Sequence, residues 1–179
     1  APTHIASFDA EAMSGFKGQT LKELDPESFA AVTPDALVRA PTEELVELAQ
    51  VTAGHGGLYA THMRNELDYV EKSVEESLRI GREGGVPVVI SHHKCGGKAN
   101  WGKSEKTLAL MDAAIANGQS VHLDVYPYTA SSTGLMANFA KVAERVLVTE
   151  ADGAPDQAGC YLDEIMADWD CELEVAVDR

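Results

Sequence analysis

Residues 86–104 read VPVVISHHKCGGKANWGKS. Val86, Val88, Val89 and Ile90 make a short β-branched apolar run, the composition of a strand buried on both faces. Ser91, His92, His93, Lys94 and Cys95 follow at its end, so the strand delivers two imidazoles, an ammonium and a thiol to one turn. Two stretches repeat the pattern. Upstream, GGLYATHMRNE (56–66) sets His62, Arg64, Asn65 and Glu66 after an apolar run, and downstream SVHLDVYPY (120–128) sets Asp124, Tyr126 and Tyr128 likewise. His62 and His92 lie 30 residues apart, and His92 and Asp124 lie 32 apart. That is the repeat of a βα unit, so the three clusters are expected side by side on one rim of a parallel sheet.

The flanking sequence supports an α/β reading. Thr42 to Gly54 is expected to be a helix, with Leu45, Leu48, Ala49 and Thr52 inward. The strand Leu58–Thr61, a helix from about Asp68 to Arg82 with Val70, Val74, Leu78 and Gly81 inward, and the strand Val86–Ile90 follow. A third helix, Glu105 to Asn117, offers Leu108, Met111, Ala114 and Ile115 as a buried face, ahead of a strand Val121–Val125. A short helix near 135–143, a strand over RVLVT (145–149) and a helix from Cys160 to Trp169 complete the pattern. Residues 1–40 hold no lasting period and read as a poorly defined segment with one or two helical turns, ahead of a domain from 41 to 179. An open doubly wound sheet fits this order too. Polar clusters at three successive strand ends favour a barrel, whose enzymes keep their sites there. A full barrel takes ~250 residues, and four strands are legible, so the pattern is a partial TIM-barrel-like set of βα repeats with parallel strands.

Charge narrows the partners. Fourteen Lys plus Arg against 29 Asp plus Glu give −15, which argues against nucleic acid or an anionic membrane surface. No apolar run approaches the ~20 residues of a membrane span, and the first residues do not read as a signal peptide, so a soluble cytoplasmic protein is expected. The three cysteines, Cys95, Cys160 and Cys171, show no zinc-ribbon spacing and no disulfide framework.

The residues at the strand ends define the chemistry. Neutral imidazoles on neighbouring strand ends can share a zinc ion, and His62 and His92 are so placed. A buried, backbone-bonded histidine is the plainer reading for His4, His55 and His122. His93, of opposite parity to His92, suits a supporting role. Lys94 shares the parity of His92 and can hold a substrate carboxylate as a point charge, or stand as a solvated rim lysine. Arg64 and Tyr126 could complete a carboxylate clamp; equally, Arg64 could pair with Glu66 or Asp68, and Tyr126 could simply pack. Asp124 suits a metal ligand or a carboxylate that fixes the following turn. Gly96-Gly97 and Gly102 do not form a phosphate-binding fingerprint.

HGGLYATHMRNE, GVPVVISHHKCGGKANWGKS, LDVYPYTASSTGL, RVLVT and AGCYLDEIMADW together resemble the middle of the D-aminoacylase, or N-acyl-D-amino-acid deacylase, family of the amidohydrolase superfamily. The resemblance covers roughly residues 41–175, in the family's order and spacing. It implies a distorted TIM barrel, zinc, and hydrolysis of N-acyl-D-amino acids to a carboxylate and a D-amino acid. By matching motifs, His62 in THMR and His92 in SHHK take metal-ligand positions. Lys94 takes the position of a residue that binds the substrate carboxylate, and Tyr126 takes another, with Tyr128 the alternative.

The departures bear on activity. The family's H-x-H pair has no counterpart here, His4 standing alone, and no cysteine precedes Cys95. The catalytic aspartate of an S-D-G-type motif would fall beyond Arg179. No catalytic residue is therefore assigned, and little turnover is expected of these residues alone. A related cyclic-amide hydrolase (hydantoinase or dihydroorotase) is the neighbouring enzyme reading, which SHHK and DVYPY argue against. A non-catalytic half-barrel that self-associates through open sheet edges is the reading from another class.

Overall fold

A computed structural model describes residues 40–178. The helical turns expected within 1–39 lie outside the described residues. Two compact units make up the rest, one of residues 40–94 and 102–126, the other of 95–101 and 127–178.

The first unit alternates helix and strand as α1 Thr42–Gly54, β1 Tyr59–Thr61, α2 Val70–Gly84, β2 Val88–Ile90, α3 Ser104–Ala116 and β3 Val121–Leu123. The strands form one parallel sheet in the order β1-β2-β3. Thr61 pairs with Ile90 and Ile90 with Leu123, so the three carboxyl ends are level. Three-residue strands make too short a ladder to stand alone, and packing against the helices holds them. Val70, Val74 and Ile80 of α2 and Val88 and Ile90 of β2 are each at most 1% exposed. Burying each such side chain contributes about 1.5–3 kcal/mol. Two glycines let the backbones approach. A Cβ at Gly81 would overlap Val88 Cγ2, and one at Gly84 would overlap Ala49 Cβ of α1. Gly85, at φ 72°, ends α2 in the left-handed conformation, with its N–H donating to Gly81 O.

Two expectations need correction in detail. The strand expected over Val121–Val125 stops at Leu123: Asp124 still bonds Ile90 O and the His93 N–H through its backbone, but the partner chain leaves the extended conformation at His92, φ 40°. On α3 only Thr107 and Met111 are buried, while Leu108 and Ile115 are exposed. Helix α3 is thus less amphipathic in its packing than in its sequence, since its contacts within the unit are with α2 and β3.

In the second unit RVLVT does not add a fourth strand to the sheet. Leu147 forms an isolated antiparallel bridge with Tyr161, and Val148 N–H donates to Cys160 O. Its valines go instead to a small separate core of Val148, Leu162, Ile165 and Ala176, with Val146 packed against it, while Leu147 is exposed. Around this core lie α4 Ala137–Ala140, α5 Leu162–Asp168 and α6 Leu173–Asp178. No helix among the described residues is long and apolar enough to cross a membrane.

Candidate functional site

The level strand ends bring His62, which follows β1, beside His92, two residues past β2. His62 Nδ1 and His92 Nε2 face each other at 2.5 Å, with the rings edge-to-face at a centroid separation of 4.1 Å. Two imidazoles sharing a tetrahedral zinc at ~2.0–2.1 Å each would hold these nitrogens ~3.3 Å apart. A modest turn of either ring covers that difference, so the pair fits as two ligands of such an ion. Among the described residues no group of three or more His, Cys, Asp or Glu is arranged to hold a metal. Two imidazoles alone fall short of the three or so protein ligands that a catalytic zinc takes.

His92 sits at φ 40°, a left-handed backbone that a non-glycine residue adopts only when held. Asp124 holds it. His92 N–H donates to Asp124 Oδ1 at 2.6 Å, and the Ser91 hydroxyl donates to Oδ2 at 3.0 Å. Those two donors, the His92 backbone N–H first, keep the Asp124 carboxyl below the ordinary aspartate range. Of its two sequence readings, Asp124 thus serves as a backbone-fixing carboxylate, and the turn it fixes is the one that carries His92.

His93 points the other way, as strand parity requires. It is 6% exposed, and its Nε2 lies 3.0 Å from Thr107 Oγ1 of α3. Burial pushes the imidazole below its usual pKa, which keeps it neutral.

Lys94 folds back over the site. Its Nζ is 2.6 Å from Glu66 Oε2, 2.7 Å from His92 Nδ1 and 3.1 Å from His92 O. It also lies 5.9 Å from the centroid of the Tyr126 ring, within cation–π range. Tyr128 is 76% exposed. Arg64 is engaged elsewhere. Its Nε donates to both oxygens of Glu76 at 2.9 and 3.0 Å, and its Nη2 to Ala40 O at 2.5 Å. Arg64, Thr42 and Glu76 line a surface hollow of about 550 Å³ whose walls include neither imidazole nor Lys94. The structure therefore groups His62, His92, Lys94 and Tyr126 and sets the Arg64 guanidinium on α2.

Glu66 is the site residue that sequence reasoning passed over as anything but a partner for Arg64. The loop before α2 aims it. Asn65 Oδ1 accepts the N–H groups of Leu67 and Tyr69 at 2.9 and 3.0 Å, closing an Asx-type turn around Glu66. Its spacing of four from His62 in a polar loop was the available signal.

No protein-family model matches the sequence. The chain is 47% identical over 141 residues to D-aminoacylase of Alcaligenes xylosoxydans xylosoxydans, a match covering 79% of this chain and 29% of that protein. It is 45% identical over 140 residues to N-acyl-D-glutamate deacylase of the same organism, covering 78% and 29% respectively. Among solved structures, N-acyl-D-glutamate deacylase from Bordetella bronchiseptica, complexed with zinc and a phosphonate mimic of the tetrahedral intermediate, superposes with TM-score 0.75. That match is at 42% identity and covers 85% of this chain and 32% of that one. A D-aminoacylase described as defining a novel subset of amidohydrolases also gives TM-score 0.75, at 39% identity, over 96% of this chain and 36% of that one. The chain spans less than a third of the length of the curated relatives it matches. The parallel βα repeats are those of the TIM-barrel-like amidohydrolase fold.

Proposed function

We propose that this chain, homologous to a segment of the N-acyl-D-amino-acid deacylases, supplies two zinc ligands and the substrate-carboxylate subsite of such an enzyme. His62 and His92 hold the metal, whose chemistry would be to polarise the scissile amide carbonyl and lower the pKa of a bound water. Lys94 meets the carboxylate of the N-acyl-D-amino acid as a point charge, and the Tyr126 hydroxyl adds a donor beside it. Arg64 joins this clamp only by exchanging Glu76 for substrate. Asp124 fixes the His92 backbone and is already engaged, so it is not the base that moves the proton to the leaving amine. The observation that carries the reading is the meeting of the two imidazole nitrogens at level strand ends, with Lys94 Nζ against the same ring.

Calorimetry with zinc on the parent, His62→Ala and His92→Ala tests it. Weak binding by the parent, lost in both variants, is expected; equal binding by all three would place the ligands elsewhere. Turnover of an N-acetyl-D-amino acid by the chain alone is expected to be negligible, because no base for the amine-protonating step is assigned to it. Robust turnover would show that it holds its own base. The half-barrel reading draws support from Leu123, Val125, Leu108 and Ile115, which are 37–64% exposed on and beside β3. Self-association through that edge is the corresponding proposal, read by sedimentation.

A further inference from the structure

Among the described residues, Glu66 is the carboxylate that lies against both His92 and Lys94. Its side chain is 16% exposed, with Oε2 2.6 Å from Lys94 Nζ and Oε1 2.9 Å from His92 Nδ1. Oε1 is buried, and although it is at ion-pair distance it has no aligned hydrogen-bond partner among the described residues. The separation and the missing hydrogen bond agree once direction is considered, since a ring N–H lies in the imidazole plane and must point at its acceptor.

Two arrangements compete for His92 Nδ1. Lys94 Nζ, 2.7 Å away, donates to Nδ1 only when that nitrogen carries no hydrogen. The hydrogen then sits on Nε2, between His92 and His62, where it blocks a metal. Glu66 Oε1 accepts from Nδ1 only when Nδ1 carries the hydrogen and the ring turns to aim it at Oε1, which leaves the Nε2 lone pair facing His62. The first arrangement uses Lys94 and leaves Oε1 unsatisfied; the second satisfies Oε1 and frees Nε2. Metal-bound histidines are generally held in this second way, with the distal ring N–H on a carboxylate or carbonyl.

We propose that Glu66 is a positioning residue that fixes His92 in the tautomer able to bind metal through Nε2, with Lys94 as its counter-ion. The inference rests on the reading of His62 and His92 as ligands. Lys94 offsets the cost of burying the Glu66 carboxylate, and the Asx-type turn at Asn65 sets its place.

Zinc affinity of the 179-residue chain, measured by competition with a chromogenic chelator, tests this on the parent, Glu66→Gln, Glu66→Met and His62→Ala. Loss of such a partner typically weakens metal binding 10–100-fold, and that is the effect expected of Glu66→Met. Glu66→Gln keeps an acceptor oxygen of the same reach and should retain most of the affinity. That rescue separates positioning from a general loss of packing, and the urea midpoint of each variant is the control for folding. Binding abolished in His62→Ala but unchanged in Glu66→Met would overturn the role of Glu66 while the ligand assignment stands. Gln and Met variants weakened alike would also overturn it. No zinc binding by the parent, or equal binding by parent and His62→Ala, would overturn the ligand assignment and this inference together.

Discussion

Replacing Gly81 with alanine pits two effects of known sign against each other. In an exposed helix the change would stabilise by about 1 kcal/mol through backbone entropy. Gly81, however, faces β2, and its new Cβ would overlap Val88 Cγ2 and stand 2.8 Å from Gln119 Nε2. Val88 is 0% exposed and cannot swing into solvent. Overpacking of a filled core costs about 1–3 kcal/mol, which against the helix gain leaves a net loss of roughly 0–2 kcal/mol. Val88→Ala alone removes two buried methyl groups and should cost about 2–3 kcal/mol with its cavity. In the double variant the alanine methyl enters the space that Val88 vacates and the helix gain survives. The pair should then be at least about 1 kcal/mol more stable than the sum of the single losses. Urea denaturation followed by circular dichroism measures all three, with unchanged m-values as the check on two-state behaviour. Additivity within about 0.5 kcal/mol would refute the reasoning, because residues that do not touch do not couple.

Thr107→Val keeps the shape of a fully buried side chain but strips the hydroxyl that meets His93 Nε2, and should cost about 1–3 kcal/mol by urea denaturation. A cost below about 0.5 kcal/mol would mean the His93 ring finds another partner. Glu44→Gln should raise the urea midpoint at pH 7, since burial, and then the charge of Glu47, push the Glu44 carboxyl above its ordinary value of 4.5. With the folded pKa raised, the native state favours the protonated acid. The parent's deficit therefore opens as pH rises through that pKa, and the variant's advantage should close below about pH 4.5. An advantage that persists at pH 3 would assign the effect to packing. Asp124→Ala should weaken zinc binding by releasing the left-handed turn at His92, while Asp124→Asn, which keeps an acceptor for the His92 N–H, should largely preserve it. Equal loss in both would mean the charge matters more than the bond. Under the proposed function, Lys94→Ala should raise KM for N-acyl-D-amino acids and, by stripping Glu66 of its counter-ion, weaken zinc binding as well; a KM unchanged from the parent would remove Lys94 from the carboxylate subsite.

The sequence by itself determined the order of elements, because buried parallel strands demand short β-branched runs and their helices a 3.6-residue period. It also determined which residues meet at the strand ends: the 30-residue interval between His62 and His92 is a βα repeat, and strand parity separated His92 and Lys94 from His93. Tertiary structure decided what local pattern leaves open. RVLVT has strand composition, yet its valines serve a separate core, since composition does not say which partner a strand will find. Leu108 and Ile115 have helical spacing, yet burial depends on what packs against them. The site shows the same division most clearly. Arg64 and Glu66 are two residues apart on one loop, and the sequence allowed them to pair with each other. Only the folded chain shows the Asx-type turn that sends Arg64 to Glu76 on α2 and Glu66 to His92 and Lys94. Side-chain direction in an irregular loop follows from hydrogen bonds made across the fold, and no periodicity in the sequence encodes those.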